Sequence, residues 1–170
     1  MSNSYKIAVL PGDGIGPEVT AESVKVLHVI AQAFQYKFEF EYAKMGAEAI
    51  FETGNPLPEE TLTVCKNADA VLFGAIGDPY FDNNPDAKVR PEQGLLKLRK
   101  ELGLFANIRP IKTYSSITKK SPLKKEIVDG TDIQIYRELI SGIYFGEKFT
   151  DENGEYAYDV CKYSKDEIVQ

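Results

Sequence analysis

The stretch AVLPGDGIGPEV, residues 8–19, decides how the chain begins to fold. It starts in a short apolar run, passes through three glycines in five positions, and continues as a helical pattern with Pro17 near its first turn. Glycine lets a backbone approach other atoms closely, and a helix N-terminus attracts anionic or electron-rich groups. We therefore expect a buried strand, followed by a loop and a helix N-terminus that come close to a ligand.

This glycine loop does not match the dinucleotide fingerprint of a Rossmann fold. That fingerprint is G-x-G-x-x-G, with an acidic residue at the end of the second strand. Gly12 and Gly14 fit it, but Pro17 occupies the position of the third glycine. The acidic residue is only loosely available within the segment KFEFE. The sequence therefore predicts a fold other than the Rossmann fold.

Strand and helix patterns alternate along the chain, which is typical of an α/β fold with a mostly parallel sheet flanked by helices. The predicted strands cover residues 6–10, 37–42, 70–75, 104–109 and 132–139. The predicted helices cover residues 17–34, 46–53, 58–67, 92–102 and 121–130. We expect a long loop over residues 74–91, and Pro110 should end the extended segment that precedes it. We assign residues 1–104 to a first α/β domain and residues 105–170 to the start of a second.

The C-terminal region carries Asn153-Gly154, a strong signal for a two-residue hairpin turn, between segments rich in aromatic residues. An isolated two-stranded hairpin is marginally stable in water, so we expect an arm over about residues 142–163 that packs on the partner subunit of a homodimer. Packing back onto its own domain is the alternative. Ser164 and Glu167 have the spacing of a capping box and predict a helix start. Because few residues follow, we expect the chain to be the N-terminal part of a longer protein.

The composition is that of a globular protein, with 43% hydrophobic and 27% charged residues. A net charge of −6 argues against nucleic acid or an anionic membrane as the partner. No apolar run approaches the length of a membrane span, and the N-terminus lacks a signal-peptide core. Cys65 and Cys161 show no metal-binding spacing, so we expect two reduced cysteines in a cytoplasmic protein.

Arginine is rare in this chain and stands at specific places. Only four of the 20 basic residues are arginine, namely Arg90, Arg99, Arg109 and Arg137. A guanidinium binds a carboxylate through two parallel hydrogen bonds, which lysine cannot do. The last three lie on adjacent predicted elements and suit a small substrate with two carboxylates. Three structural ion pairs explain the same spacing equally well.

One face of the helix predicted in PEQGLLKLRK also suits a particular substrate. Glu92, Leu95, Leu96 and Arg99 lie at positions i, i+3, i+4 and i+7 and share that face. Arg99 would hold a carboxylate while the leucines enclose a branched alkyl group, as in a malate that carries such a branch. The alternative is that Leu95 faces the core, as we expect of Leu98.

PGDGIGPEV closely resembles the N-terminal signature of the β-decarboxylating dehydrogenases, which oxidise isopropylmalate, isocitrate, homoisocitrate or tartrate. Further segments continue the resemblance in the same order, namely VLFGAIGDP, VRPEQGLLKLRKELGLFANIRP, IYRELISGIYFGE and KYSKDE. The resemblance implies an isocitrate/isopropylmalate dehydrogenase-like α/β fold, which binds NAD or NADP without the Rossmann fingerprint.

The resemblance also assigns roles to individual residues. Arg99, Arg109 and Arg137 match the substrate-carboxylate arginines of the family, and Tyr144 matches the tyrosine that donates a proton. The residues that match cofactor-binding positions are Ile15, Asp78, Pro79, Tyr80, Phe81, Arg90, Pro91 and Glu92. The catalytic lysine and the aspartates that bind Mg²⁺ or Mn²⁺ are expected beyond Gln170, so no metal ligand is assigned within this chain.

The implied reaction oxidises a secondary alcohol by hydride transfer to NAD and then releases the β-carboxylate as CO₂ with the help of a metal. PEQGLLKLRK is similar to the isopropylmalate version, with Gln93 where Thr is frequent. We therefore expect conversion of 3-isopropylmalate to 2-oxo-4-methylpentanoate in leucine biosynthesis, with residues 1–170 inactive by themselves. The alternatives are isocitrate, tartrate or malate as the substrate, a non-catalytic ligand-binding subunit, and a nucleotide-binding or interaction module without chemistry.

Overall fold

The computed structural model describes residues 3–170, which divide between Leu102 and Gly103 into two compact units. The first unit holds a three-stranded parallel sheet with helices, and the second holds two antiparallel strand pairs. The assignment of domains to residues 1–104 and 105–170 stays a prediction about the organisation of the protein.

The first unit confirms the predicted parallel sheet flanked by helices. Its strands are β1 (Ser4–Gly12), β2 (Lys37–Tyr42) and β3 (Ala70–Ala75). Its helices are α1 (Gly16–Phe34), α2 (Ala47–Thr53), α3 (Glu59–Lys66), α4 (Pro79–Asp82) and α5 (Pro91–Glu101). The strand order is β2-β1-β3, and β1 is parallel to both neighbours. The single turn of α4 lies inside the segment that the sequence predicted to be loop throughout, because Asp78 caps it.

The central strand β1 is buried on both faces of the sheet, as expected of a parallel sheet covered by helices. On one face, Ile7 and Val9 pack with Val24 of α1. On the other face, Ala8 and Leu10 belong to a second buried cluster. The remaining buried members of that cluster are Met45, Leu57, Leu62, Cys65 and Leu98. Helix α1 therefore covers one face of the sheet, while α3 and α5 cover the other.

The second unit begins with β4 (Ala106–Lys112) and β5 (Asp132–Glu138), which pair antiparallel rather than parallel. The prediction that Pro110 ends the extended segment is wrong, because β4 continues through it and pairs Pro110 with Gln134. Proline lacks an N–H and is tolerated where one side of a strand has no partner. Among the described residues β4 pairs only with β5, so its other side can accommodate Pro110.

The helix predicted at residues 121–130 is much shorter in the structure. Only α6 (Lys125–Val128) is helical, after a single 3-10 turn at Thr118–Lys120. The hydroxyl of Ser121 accepts a hydrogen bond from the N–H of Leu123, 3.1 Å away, and so stabilises a turn rather than the start of a helix. The capping residue predicted at this position therefore serves a local turn.

The aromatic hairpin also has a different turn from the predicted one. Its strands, β6 (Lys148–Thr150) and β7 (Ala157–Asp159), are joined by residues 151–156, so Asn153-Gly154 lies within a longer loop. The carboxylate of Asp151 accepts hydrogen bonds from the N–H groups of Tyr156 and Asn153, at 2.8 and 3.3 Å, which holds the longer loop together.

The predicted helix start near the C-terminus is confirmed as α7 (Lys165–Val169). The N–H of Ser164 donates to the carboxylate of Glu167 at 2.6 Å, and the N–H of Glu167 donates to the Ser164 hydroxyl at 3.3 Å. This is the reciprocal pair of a capping box. None of the helices in the part of the chain that the structure describes has the length and apolar character required to cross a membrane.

Candidate functional site

Two of the three glycines in the opening loop make room for protein backbone. A Cβ atom on Gly12 would overlap the carbonyl oxygen of Ala75 in β3, and one on Gly16 would overlap the carbonyl oxygen of Pro11. Gly14 differs, because its φ is +57° and only the carbonyl oxygen of Gly77 lies within 4 Å of an added Cβ, at 3.8 Å. The sequence predicts that the glycines let the backbone approach a ligand closely. At Gly12 and Gly16 the close approach is instead to backbone atoms of the same chain.

Asp13 joins three segments at the C-terminal edge of the parallel sheet. Its backbone N–H donates to the carbonyl of Ala75 at 2.8 Å. Its carboxylate accepts hydrogen bonds from the N–H of Ala47 at 2.8 Å and the N–H of Gly77 at 3.1 Å. The residue is only 5% exposed. Sequence analysis left Asp13 without a role, and its position between two glycines after a buried strand was the only signal.

The loop after β3 contains most of the residues predicted to bind a cofactor. The carboxylate of Asp78 accepts a hydrogen bond from the N–H of Tyr80 at 2.8 Å and so caps α4, which begins at Pro79. Arg90, from the far end of the loop, donates to the carbonyls of Phe81 at 2.7 Å and Asn84 at 3.0 Å. Arg90 therefore connects the far end of the loop with its middle.

An aromatic cluster stands at this loop. Tyr80 is 61% exposed, whereas Phe81 beneath it is buried, and the two ring centroids are 5.1 Å apart. Phe51 of α2 contacts both rings, with centroid distances of 5.3 Å to each. Sequence analysis missed Phe51 because only folding brings α2 beside the loop. Ile15, at the tip of the glycine loop, is 63% exposed.

The start of α5 faces the same region of the first unit. The N–H of Arg90 donates to the side-chain oxygen of Gln93 at 3.1 Å, which caps the helix immediately before the buried Pro91. The carboxylate of Glu92 approaches Gly77, since an oxygen of Glu92 lies 3.5 Å from where a Cβ of Gly77 would stand. The loops after β1 and β3 and the start of α5 therefore meet at the C-terminal edge of the sheet, where open α/β sheets bind ligands.

The proposed substrate face of α5 divides between core and surface. Leu98 is buried, as expected, and Leu95 packs against the same core cluster. Leu96 and Arg99 are partly buried. The alternative interpretation therefore applies in part to Leu95, while Leu96 stays the better candidate for contact with a substrate.

In the second unit the structure brings three predicted residues together. Arg137 pairs with Asn107 across the β4–β5 ladder, and Arg109 lies two residues further along β4. The side chains of Arg137, Asn107 and Arg109 therefore project from one face of the strand pair. The guanidinium of Arg137 stands over the ring of Tyr144, 5.3 Å from its centroid. Nε of Arg109 donates to the side-chain oxygen of Asn107 at 3.3 Å. Asn107 was missed, because only the strand register shows that it stands between the two arginines.

The aromatic hairpin presents a surface of its own. The rings of Phe149 and Tyr158 stack across β6 and β7 with centroids 5.4 Å apart, and both residues are exposed. The hydroxyl of Tyr158 donates to the carboxylate of Glu147 at 2.7 Å, and this hydrogen bond raises the pKa of Tyr158. The hairpin therefore carries an ordered aromatic patch.

The site residues differ in how well they suit the expected cofactor and metal. The exposed Ile15 and Tyr80 offer apolar surface at the C-terminal edge of the sheet, which fits contact with a dinucleotide. Within residues 3–170, no group of three or more His, Cys, Asp or Glu side chains is arranged to hold a metal ion. The predicted Mg²⁺ or Mn²⁺ therefore has no ligand set among the described residues, and no step is assigned to it.

Comparison with known proteins finds the same relatives along nearly the whole chain. The model of the isocitrate/isopropylmalate dehydrogenase family matches residues 6–170. The 3-isopropylmalate dehydrogenase of Bacteroides fragilis is 57% identical over 164 residues, which are 96% of this chain and 46% of that protein. The 3-isopropylmalate dehydrogenase of Aquifex aeolicus is 53% identical over 167 residues, with the same two coverages of 96% and 46%. The chain spans about half the length of the curated relatives it matches.

Solved structures share the fold. A β-decarboxylating dehydrogenase of Thermococcus kodakarensis, in its apo form, matches with a TM-score of 0.65 and 36% identity, over 96% of this chain and 42% of that one. The isocitrate dehydrogenase of Methylococcus capsulatus matches with a TM-score of 0.73 and 23% identity, over 96% of this chain and 44% of that one. At that identity the second likeness concerns the fold alone. The predicted fold class is confirmed.

Proposed function

Because the chain belongs to the isocitrate/isopropylmalate dehydrogenase family, we propose that this protein converts 3-isopropylmalate to 2-oxo-4-methylpentanoate with NAD. Two further observations support the choice of substrate. Relatives that are 51–57% identical carry the name 3-isopropylmalate dehydrogenase. The α5 face also combines the exposed carboxylate of Glu92 with the partly buried side chains of Leu96 and Arg99 at helical spacing.

The observation that carries the proposal is the pair of arginines on one face of β4 and β5. Arg109 and Arg137 are diagonal neighbours in the ladder. Residues in this relationship are about 7–8 Å apart on the same face of an antiparallel strand pair. Two guanidinium groups at that spacing can each bind one carboxylate of a malate through paired hydrogen bonds. Arg99 on α5 is proposed as the third cation for the substrate.

Tyr144 is proposed as the proton donor that converts the enolate left by decarboxylation into the ketone. A tyrosine hydroxyl can serve as a general acid when it is held in place. The ring of Tyr144 is held against the guanidinium of Arg137, and the cation also lies where a negative charge on a bound carboxylate would be stabilised. The same arginine would therefore orient both the substrate and the proton donor.

The C-terminal edge of the first sheet is proposed to bind the cofactor. NAD, when bound, accepts the hydride from the secondary alcohol. Ile15 and Tyr80 would contact it through their exposed surfaces, while Asp78 and Arg90 keep the loop in shape. Phe81 and Pro91 are buried and would support these residues from beneath. A divalent cation, Mg²⁺ or Mn²⁺, stays part of the proposal without an assigned ligand.

The wider setting follows the same proposal. We propose a homodimer that uses the hairpin arm, because Phe149, Tyr156 and Tyr158 expose aromatic surface there. Exposed aromatic groups of this kind are enriched in protein interfaces. We also propose that the protein acts in leucine biosynthesis and is located in the cytoplasm.

Substrate assays on the protein expressed from its native gene test the proposal. The assay follows NADH and CO₂ with 3-isopropylmalate, malate, isocitrate and tartrate, each with NAD and with NADP, in the presence of Mg²⁺ or Mn²⁺. We expect the highest kcat/KM with 3-isopropylmalate and NAD. A higher kcat/KM with isocitrate or tartrate would contradict the proposed substrate, and binding of these acids without turnover would favour a non-catalytic subunit.

A further inference from the structure

The buried carboxylate of Asp13 stands between the glycine loop and the loop that follows β3. Burial of a carboxylate is costly unless hydrogen bonds satisfy its oxygens. Here one oxygen accepts the N–H of Ala47 at 2.8 Å and the other accepts the N–H of Gly77 at 3.1 Å. Each oxygen therefore holds a different segment of the first unit.

The space around this carboxylate is shaped to receive it. Gly46, at the N-terminus of α2, has a φ of +83°, which side chains rarely adopt. A Cβ atom on Gly46 would overlap both carboxylate oxygens of Asp13 and the end of the Ile76 side chain. Glycine at this position is thus required both by the backbone conformation and by the presence of Asp13.

The hydrogen bond to Gly77 lies at the start of the proposed cofactor loop. The next residue, Asp78, starts α4 through its hydrogen bond to the N–H of Tyr80. On its other side, Gly77 approaches the carboxylate of Glu92. Gly77 has a φ of +127°, a conformation that residues with a side chain rarely adopt. A bond that fixes the Gly77 N–H therefore sets the course of the chain toward Tyr80.

We propose that Asp13 is a positioning residue for dinucleotide binding, which acts by holding the N–H of Gly77 and thereby placing Asp78 and Tyr80 at the C-terminal edge of the sheet. That a dinucleotide binds at this edge rests on the proposed function. The link between Asp13 and the loop rests on the hydrogen bonds of the first unit alone.

The matched pair Asp13→Asn and Asp69→Asn tests this role. The amide of asparagine keeps the size of the carboxylate but replaces one accepting oxygen by an N–H₂ group, which cannot accept from a backbone N–H. Asp69 is a suitable control because its carboxylate accepts from the N–H of Lys6 at 2.8 Å. Like Asp13, Asp69 connects β1 with β3. Asp69 does so at the start of β3, which is the edge of the sheet opposite to Asp13.

Two measurements on the protein expressed from its native gene separate positioning from general stability. The first is hydrogen exchange of the Gly77 and Lys6 amides, and the second is the dissociation constant and KM for NAD. Asparagine can keep only one of the two bonds, and we expect its oxygen to keep the shorter one, to Ala47, so Asp13→Asn should speed exchange at Gly77. NAD binding should weaken by roughly ten- to a hundredfold, with a smaller change in kcat. The carboxylate of Asp69 accepts from the N–H of Lys6, and asparagine keeps one oxygen that can accept the same bond, so Asp69→Asn should leave both the exchange at Lys6 and NAD binding at their wild-type values.

Each remaining outcome decides the matter. Equal NAD binding by the two variants, in a protein that binds NAD, would overturn the role of Asp13 and leave the proposed function standing. A wild-type protein that binds no NAD would overturn the proposed function and the inference together. If Asp13→Asn does not fold, the wild-type protein still provides a test. Its Gly77 amide must be protected from exchange and must change in chemical shift when NAD is added, and a failure of either would overturn the inference.

Discussion

Arg137 and Tyr144 are in direct contact, with the guanidinium carbon of Arg137 5.3 Å from the centroid of the Tyr144 ring. A guanidinium above an aromatic face is attracted to the ring, by about 0.5–1 kcal/mol at an exposed site. The two residues have different proposed roles, one in binding a carboxylate and the other in donating a proton. The contact therefore connects the residue proposed to bind a carboxylate with the residue proposed to donate a proton.

Replacement of Tyr144 should separate its ring from its hydroxyl. Tyr144→Phe keeps the ring beside Arg137 but removes the proton donor, so kcat should fall by about 10²–10⁴-fold while KM changes little. Tyr144→Leu removes the ring as well, so KM should also rise because Arg137 loses its support. Steady-state kinetics with 3-isopropylmalate measure both parameters. A kcat near the wild-type value in Tyr144→Phe would exclude the proposed proton transfer.

Arg109→Lys should weaken substrate binding although it keeps the positive charge. Lysine cannot form the two parallel hydrogen bonds that a guanidinium makes to a carboxylate, so about 2–3 kcal/mol of transition-state stabilisation should be lost. The measurement is kcat/KM with 3-isopropylmalate. Lys112→Ala is the control, because Lys112 lies on the same strand but projects from the opposite face. If the two variants have the same kcat/KM, Arg109 has a structural role only.

Leu96 and Leu98 should respond differently to truncation. Leu96→Ala should reduce the preference for 3-isopropylmalate over malate by roughly ten- to a hundredfold, since a few methylene contacts are lost at about 0.8 kcal/mol each. Leu98 is 3% exposed in the core, so Leu98→Ala should lower the free energy of unfolding by about 2–5 kcal/mol without changing that preference.

Kinetics with both substrates and denaturant unfolding measure these two effects. Leu95→Ala should reduce both the preference for 3-isopropylmalate and the free energy of unfolding, each to a smaller extent, because Leu95 lies on the proposed substrate face and also packs against the core. An equal loss of activity on both substrates in Leu96→Ala would mean that Leu96 does not contact the alkyl group.

Replacement of Gly12 and of Gly54 by alanine tests the close approach of the β1 backbone to β3. Both have positive φ, +72° and +73°, so replacement by alanine strains the backbone by roughly 1–2 kcal/mol in each case. A Cβ on Gly12 would also overlap the carbonyl of Ala75, whereas nothing lies within 4 Å of a Cβ on Gly54. Gly12→Ala should therefore lower the free energy of unfolding clearly more than Gly54→Ala does. Denaturant titration compares them, and equal losses would show that β1 and β3 can move apart at little cost.

Much of the candidate site could be predicted, because the residues with unusual chemistry stand out in the sequence. The sequence distinguishes the arginines and Tyr144, and the structure brings Arg109, Arg137 and Tyr144 together in the second unit. Asn107 and Phe51 were not identified, since an asparagine in a strand and a phenylalanine on a helix have no distinctive pattern. Their relevance arises from neighbours that are distant in sequence.

The sequence by itself determined the features that depend on residues a few positions apart. Helix α1 and the capping box of Ser164 and Glu167 follow from such local spacing and lie where they were predicted. The tertiary structure decided the features that depend on which segment fills a space. Whether β4 pairs antiparallel and continues through Pro110 depends on its partner, and the role of Asp13 depends on where Gly77 lies. The physical reason is that backbone hydrogen bonds within a helix are made between near neighbours, whereas strand pairing and the burial of a carboxylate require donors and acceptors from remote parts of the chain.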